Sequence, residues 1–282
     1  MFIFISIVIF NILMLIFAIY EYKVSWGKNE NWCTQGQTLE PLKKNRKRSI
    51  IMIHGFGGSP FDFKPLALRL QEEGFTIRIP IMAGQNKNYF AYNRGQFSSE
   101  FFIAWLHDII DEENERFDNK PYLVGFSMGG TVSTVVAQEE NVEKLILLAP
   151  YYSLPIQNNT IVTINKVLGL IMPIVPKRAS GQVNSDEGRN RYIPGTFIVS
   201  SLAFLQLNDL AIEARKIAPQ LALPIFIAAS KNDGVASFEK INDLFSKNTF
   251  TKIKEYPKSN HIMLYDYDFE EIIKDVVSFC VK

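Results

Sequence analysis

Gly125-Phe126-Ser127-Met128-Gly129-Gly130 is the stretch that decides the fold of this chain. It follows the short apolar run Tyr122-Leu123-Val124 and precedes an apolar segment, residues 131–138, that predicts a buried helix. A strand, a glycine-flanked turn with serine at its apex and then a helix form a nucleophile elbow of the G-x-S-x-G type. The glycines permit the unusual backbone angles and the close approach of strand and helix that such a turn needs. The helix N-terminus behind Ser127 also favours negative charge that develops nearby.

Composition limits what else the chain can be. It has 282 residues, of which 47% are hydrophobic and 21% charged, so a sizeable core is expected and disorder is not. The net charge of +1 gives no case for nucleic-acid binding. The two cysteines, Cys33 and Cys280, are far apart, and no Cys/His cluster indicates a metal. We therefore expect neither a metal nor an organic cofactor.

The N-terminus is expected to be a membrane anchor. Met1–Tyr20 is apolar apart from Ser6 and Asn11, and a run of about 20 such residues can span a bilayer as a helix. A cleaved signal peptide would have basic residues before a shorter apolar core and a small-residue cleavage site, and this sequence has neither pattern. We predict an uncleaved anchor over residues 1–22, which makes the membrane a partner of the chain.

Residues 23–48 are expected to form a linker that is basic at its end. The cluster Lys43–Arg48 lies after the predicted span, so the positive-inside rule keeps the C-terminal domain cytoplasmic. The opposite orientation stays open because the N-terminal flank is very short. The basic cluster is either a solvated part of the linker or a contact with anionic lipid head groups.

Strands and helices alternate through the rest of the chain. Strands are predicted over residues 49–53, 75–80, 122–126, 142–148, 223–229 and 251–256. Helices are predicted over residues 60–73, from Ser98 or Ser99 onward, and over residues 237–247 and 269–280. This alternation predicts an α/β fold with a mostly parallel central sheet flanked by helices, whose core is residues 49–150 and 220–282.

The alternation is interrupted by an insertion, residues 151–219. Two apolar stretches, residues 161–175 and 193–210, lie within it. An insertion at the C-terminal edge of a parallel sheet lies over the ligand crevice. We expect a small helical cap, which is either a lid over an apolar substrate or a unit packed on itself.

A serine nucleophile needs a general base, and the base needs an acid to orient it. His261 is the one histidine after Ser127, and it lies in a polar loop between the last strand and the last helix. Asp233 lies just after the strand predicted over residues 223–229 and is the preferred acid. Asp209 and Asp266 compete with it, but Asp209 belongs to the insertion and Asp266 is expected to begin the last helix.

Two backbone N–H groups are predicted to bind the oxyanion that forms on the substrate. One belongs to Met128, directly after the serine, and the other to Phe56, in the loop after the first core strand. His54 is expected to shape that loop. His107 is expected to be a solvated surface residue because it points away from the apolar stripe of its helix.

Taken together, these motifs resemble the serine α/β-hydrolases of the carboxylesterase, monoacylglycerol lipase and lysophospholipase group, the S33-like branch. The resemblance covers residues 49–282. It is carried by His54-Gly55-Phe56-Gly57-Gly58, Gly125-Phe126-Ser127-Met128-Gly129-Gly130, Asn232-Asp233-Gly234-Val235 and Ser259-Asn260-His261. It implies a serine ester hydrolase with Ser127, Asp233 and His261 as catalytic residues and a small-molecule acyl ester as substrate.

The apolar insertion and the predicted anchor favour a monoacylglycerol or lysophospholipid within that class. Two other functions stay open. One is a peptidase of the proline aminopeptidase type on the same fold, and the other is a non-catalytic hydrolase-fold module that binds a partner. The residues that bind substrate and the oligomeric state do not follow from the sequence.

Overall fold

The computed structural model describes residues 26–42, 46–82, 98–139, 141–153, 174–176, 182–196 and 198–282, with scattered positions between residues 6 and 16. The strands are β1 Gln37–Leu39, β2 Ser49–Ile53, β3 Thr76–Ile79, β4 Tyr122–Phe126, β5 Lys144–Leu148, β6 Ile174–Pro176, β7 Ile198–Ser200, β8 Ile225–Ala229 and β9 Thr251–Glu255. Seven of them form one sheet in the order β1-β3-β2-β4-β5-β8-β9. All neighbours in this sheet are parallel except β1 and β3.

Helices cover both faces of the sheet. They are α1 Glu30–Thr34, α2 Lys64–Glu72, α3 Ser99–Phe117, α4 Met128–Val136, α5 Asp186–Arg191, α6 Ser201–Ile217, α7 Phe238–Phe245 and α8 Phe269–Val281. Successive residues of a strand point to opposite faces, so Ile51 and Ile53 of β2 pack into one core and Ile50 and Met52 into the other. Side chains of α3, α4, α6 and α7 complete the first core, and those of α2 and α8 complete the second.

The predicted α/β fold with its mostly parallel sheet is confirmed. The strands β2 and β4 have the bounds that the apolar runs indicated. Serine side chains start the helices where the sequence placed them. The Ser98 hydroxyl accepts a hydrogen bond from the Phe101 N–H (3.3 Å), and the Ser237 hydroxyl accepts one from the Lys240 N–H (3.2 Å).

The segment over residues 26–39, called the arm below, differs from the linker that we expected over residues 23–48. Its strand β1 extends the sheet by pairing with β3. Lys64 of α2 donates a hydrogen bond to Asn29 Oδ1 (2.8 Å) and lies 5.3 Å from the centre of the Trp32 ring. Cys33 is buried, and burial raises the pKa of its thiol to about 12. The sequence did not predict this packing of the arm on the domain, because the arm is polar and only a few of its side chains enter the core.

Two arginines of the basic cluster also pack on the domain rather than standing in a solvated linker. Arg46 Nε donates to the carbonyl of Glu73 (2.8 Å), and its guanidinium lies over the Phe75 ring. Arg48 forms an ion pair with Glu143 and lies over the Tyr122 ring. Both side chains therefore fix the chain at the entry to β2.

The predicted anchor, residues 1–22, lies outside the described part of the chain apart from the scattered positions named above. No helix within the described residues combines the length and the apolar character needed to cross a membrane.

The insertion is described in part, since residues 154–173, 177–181 and 197 lie outside the described residues. Its strands β6 and β7 form an antiparallel pair, and the helix α5 follows the first of them. The helix α6 buries Leu210 and Ala214 in the same core as Val132 and Val136 of α4. The end of the insertion that we predicted as a cap thus belongs to the helical layer over the sheet.

Candidate active site

The backbone at Ser127 adopts the strained conformation that an elbow requires. Its φ of 53° and ψ of −119° are unfavourable for a residue with a side chain, at a cost of about 1–3 kcal/mol. Hydrogen bonds on both sides hold it there. The Ser127 N–H donates to the carbonyl of Leu148 on β5 (3.0 Å), and the Ser127 carbonyl accepts from the N–H of Tyr151 (3.1 Å). The neighbouring strand therefore fixes the turn.

The glycines around Ser127 are required by close backbone contacts. A Cβ added at Gly129 would lie 1.9 Å from the carbonyl oxygen of Ile53, and one added at Gly125 would lie 2.5 Å from the Cα of Gly130. Both contacts are with backbone, which cannot rotate away. Strand β4, helix α4 and the end of β2 thus meet at the elbow only because these side chains are absent.

This contact predicts the effect of Gly129→Ala. The new methyl group would push the end of β2 away from α4, and we expect the free energy of unfolding to fall by about 3 kcal/mol or more. Equilibrium denaturation in urea measures the change. Gly234→Ala is the matched control, because its added Cβ would have Asn260 Oδ1 at 3.9 Å as nearest neighbour. Equal stability losses in the two variants would contradict this account of the elbow.

The structure brings the three predicted catalytic side chains into one hydrogen-bonded chain. His261 Nε2 lies 2.9 Å from Ser127 Oγ, and His261 Nδ1 lies 2.8 Å from Asp233 Oδ2. Ser127 directly follows β4, Asp233 lies in the loop after β8, and His261 lies in the loop after β9. The three strands are parallel, so their C-terminal ends share one edge of the sheet, where distant parts of the sequence meet.

The surroundings of Asp233 determine which ring nitrogen of His261 carries the proton. Asp233 Oδ1 accepts hydrogen bonds from the N–H groups of Val235 (2.7 Å) and Ala236 (2.8 Å), which leaves Oδ2 for the histidine. An ionised carboxylate can only accept, so Nδ1 must donate to it. The lone pair of Nε2 then points at the Ser127 hydroxyl. This tautomer is the one that can take a proton from serine.

The loop of the predicted oxyanion donor Phe56 comes close to the serine. A Cβ added at Gly55 would lie 3.1 Å from the Cβ of Ser127, which shows how near the backbone of this loop passes. His54 is fully buried, and its Nε2 accepts a hydrogen bond from the N–H of Met82 (3.0 Å). Met128, the other predicted donor, is the first residue of α4. Both N–H groups therefore belong to segments that border Ser127.

The remaining candidate residues lie elsewhere or have other contacts. Asp209 is exposed on α6. His107 is half-buried rather than solvated, because its ring contacts Asn141 (3.2 Å) and Glu139 (3.2 Å). Asp266 does not begin the last helix, which starts at Phe269. Its carboxylate is buried and accepts hydrogen bonds from backbone N–H groups instead.

Known proteins are similar to this chain in sequence. The family model for Hydrolase_4, serine aminopeptidase S33, matches residues 44–268. The thermostable monoacylglycerol lipase of Bacillus sp. (strain H-257) is 24% identical over 255 residues, which cover 85% of this chain and 92% of that protein.

Solved structures at low identity show the same fold. The monoacylglycerol lipase of Paleococcus ferrophilus has a TM-score of 0.73 at 21% identity, over 87% of this chain and 97% of that one. A thermostable carboxyl esterase from Bacillus coagulans, solved with glycerol, has a TM-score of 0.67 at 18% identity, over 87% and 93% of the two chains.

Proposed function

This chain belongs to the serine aminopeptidase S33 family, and we propose that it is a serine hydrolase that cleaves carboxylic esters through an acyl-enzyme. The observation that carries the proposal is the continuous chain from Ser127 Oγ through His261 to Asp233, with distances of 2.9 and 2.8 Å. Three side chains from three loops meet with the geometry that nucleophilic catalysis needs. The presence of all three catalytic side chains also favours an enzyme over a module that only binds a partner.

The reaction proceeds in two steps. His261 Nε2 takes the Ser127 proton as the oxygen attacks the acyl carbon, and the tetrahedral oxyanion accepts hydrogen bonds from the N–H groups of Phe56 and Met128. His261 then gives the proton to the departing alcohol, which leaves an ester on Ser127. Water, activated by the same histidine, releases the acid. Asp233 stabilises the imidazolium that forms in each step.

The proposed substrate is a monoacylglycerol, a lysophospholipid or a similar apolar acyl ester. Two observations support this class, namely the apolar stretches of the insertion and the similarity to proteins described as monoacylglycerol lipases. Among the acidic residues described in the insertion, Asp186 and Glu187 have side chains that are 92% and 80% exposed. They are therefore turned to solvent rather than into a pocket for a peptide amino terminus.

A series of p-nitrophenyl esters and monoacylglycerols of graded chain length tests the substrate class. Each methylene that enters an apolar pocket contributes about 0.8 kcal/mol, so kcat/KM should rise by up to about fourfold per carbon until the pocket is filled. A preference for acetyl esters would contradict the proposed class. Faster cleavage of aminoacyl p-nitroanilides than of any ester would instead indicate the peptidase activity.

We also propose that residues 1–22 anchor the protein in a membrane, with the catalytic domain on the cytoplasmic side. The apolar run Met1–Tyr20 and the basic residues after it support this arrangement. Because the arm begins to pack at Trp26, a chain that starts at residue 26 should keep the fold and lose the anchor. Full-length protein should stay in the membrane pellet after alkaline carbonate washing, and the shortened chain should not. Release of both would contradict the anchor.

A further inference from the structure

The segment over residues 182–196, called the strap below, joins two loops of the candidate active site that are far apart in sequence. Its first residues bind the loop of His261. The N–H of Ile262 donates to the carbonyl of Gln182 (3.0 Å), and Asn184 Nδ2 donates to the carbonyl of Lys258 (3.0 Å). Its last residues bind the loop of Phe56, residues 54–58, called the oxyanion loop below, since the N–H of Thr196 donates to the carbonyl of Gly57 (3.1 Å).

Asp266 is the attachment at the first end. Its buried carboxylate accepts four backbone N–H groups. Two come from the strap, Asn184 (2.7 Å) and Ser185 (2.9 Å), and two from the His261 loop, Asn260 (2.8 Å) and Tyr267 (2.9 Å). Hydrogen bonds to a charged acceptor are stronger than neutral ones. One carboxylate thus holds the strap and the residue that precedes the general base.

Asn260 connects the strap and the loop of His261, called the base loop below, to the loop of Asp233, called the acid loop below. Its side-chain Oδ1 accepts hydrogen bonds from the N–H of His261 (2.8 Å) and from the N–H of Gly234 (3.1 Å), next to Asp233. Its Nδ2 donates to Asn184 Oδ1 in the strap (3.2 Å). The strap, the base loop and the acid loop therefore meet at one side chain.

Tyr192 is the attachment at the second end. Its hydroxyl donates to Asp62 Oδ1 (2.9 Å), in the short 3-10 helix that follows the oxyanion loop. Both groups are buried. The pKa of Tyr192 is raised well above its usual value, mainly by this burial and secondly by the nearby charge of Asp62. The hydroxyl therefore keeps its proton and remains a donor. A Cβ added at Gly195 would lie 2.0 Å from the carbonyl of Gly58, so strap and loop are in direct backbone contact here.

We propose that the strap is a positioning element, in which Tyr192 sets the oxyanion loop through Asp62 while Asp266 sets the loop of the general base. The inference rests on the proposed serine hydrolase function. One segment then fixes the distance between the N–H of Phe56, which binds the oxyanion, and the ring of His261, which transfers protons to and from the same tetrahedral intermediate. Small errors in such positions are costly, because a displacement of about 1 Å can lower a rate on the order of 100-fold.

Tyr192→Phe tests the inference, since it removes one hydroxyl and keeps the ring. We expect kcat to fall about tenfold with KM changed less than about twofold, because a displaced oxyanion donor weakens only the transition state. A trifluoromethyl ketone, to which Ser127 adds as a tetrahedral hemiketal, should bind more weakly by the same factor. If Tyr192 has a role in stability alone, the substitution would lower the melting temperature and leave kcat and the inhibitor affinity unchanged.

Tyr256→Phe is the matched control. The Tyr256 hydroxyl also donates to a carboxylate, Asp275 Oδ2 (2.7 Å), but this bond joins the residue directly after β9 to helix α8 rather than to the strap. We expect it to affect stability and not the inhibitor affinity. The inference is overturned if Tyr192→Phe keeps the wild-type kcat and inhibitor affinity while the wild type hydrolyses esters. Failure of the proposed function would look different, because the wild type itself would then be inactive.

A double-mutant cycle with Asp266→Asn tests whether the strap acts as one element. Substitutions at independent sites multiply their effects on kcat within about twofold. If the strap acts as one element, Asp266→Asn should lower kcat by a factor at least about fivefold smaller in the Tyr192→Phe variant than in the wild type. Multiplicative effects would overturn the coupling. If Asp266→Asn does not fold, Tyr192→Phe with its inhibitor measurement still decides the proposal.

Discussion

Ser127→Ala is expected to lower kcat for p-nitrophenyl butyrate roughly 10⁵- to 10⁶-fold, which is the loss typical of a serine nucleophile. Alanine cannot form the acyl-enzyme, and the remaining activity would come from the oxyanion donors acting on attack by water. Ser127 Oγ makes one side-chain hydrogen bond, to His261, within the described structure, so the fold should survive its removal. Initial rates and circular dichroism of the purified variant measure both expectations.

Ser133→Ala is the matched control for this result. Ser133 lies in the same helix, α4, and its hydroxyl is buried without a hydrogen-bond partner among the described residues. Its loss should leave kcat unchanged and cost little stability. Full activity of Ser127→Ala, or an equal loss in the two variants, would contradict the assignment of the nucleophile.

Asp233→Asn is expected to lower kcat on the order of 10⁴-fold while the fold persists. The amide nitrogen of asparagine can donate to His261 Nδ1, which forces the ring proton onto Nε2, where it faces Ser127 Oγ. The histidine then cannot accept the serine proton. Asparagine keeps an oxygen that can still accept from the N–H groups of Val235 and Ala236, so the loop itself should be preserved.

Asp209→Asn is the control for Asp233, because Asp209 was its competitor in the sequence and is exposed on α6. We expect its kcat to equal that of the wild type. A severe loss at Asp209 together with a mild one at Asp233 would show that the acid is assigned to the wrong loop. Wild-type activity in Asp233→Asn would show that the hydrogen bond to His261 is not needed.

Much of the fold could be predicted because its signals are local. The apolar runs of β2 and β4 are continuous, since both faces of a parallel sheet are buried. Helix starts carry their own cap residues, such as Ser98 and Ser237. The catalytic residues could be proposed because the α/β-hydrolases, which the motifs resemble, carry nucleophile, acid and base in that order along the chain. With three histidines in the chain, this order leaves few candidates.

Other features could not be predicted because their contacts are long-range. Asp266 looks like an ordinary residue before a helix. Its importance appears only when two N–H groups of its own loop and two of the strap, more than 80 residues away, converge on its carboxylate. Tyr192 carries no motif, and its partner Asp62 lies 130 residues away. The arm has a polar sequence whose pairing with β3 depends on tertiary structure. No periodicity within one segment encodes such contacts.

Labelling of the wild-type protein with a fluorophosphonate probe tests the central claim most directly. The probe phosphonylates a serine only when that serine is activated as a nucleophile. After digestion, mass spectrometry should find one adduct, on the peptide that contains Ser127, and a monoacylglycerol should slow its formation. An adduct on another residue, or none in a preparation that hydrolyses esters, would contradict the account.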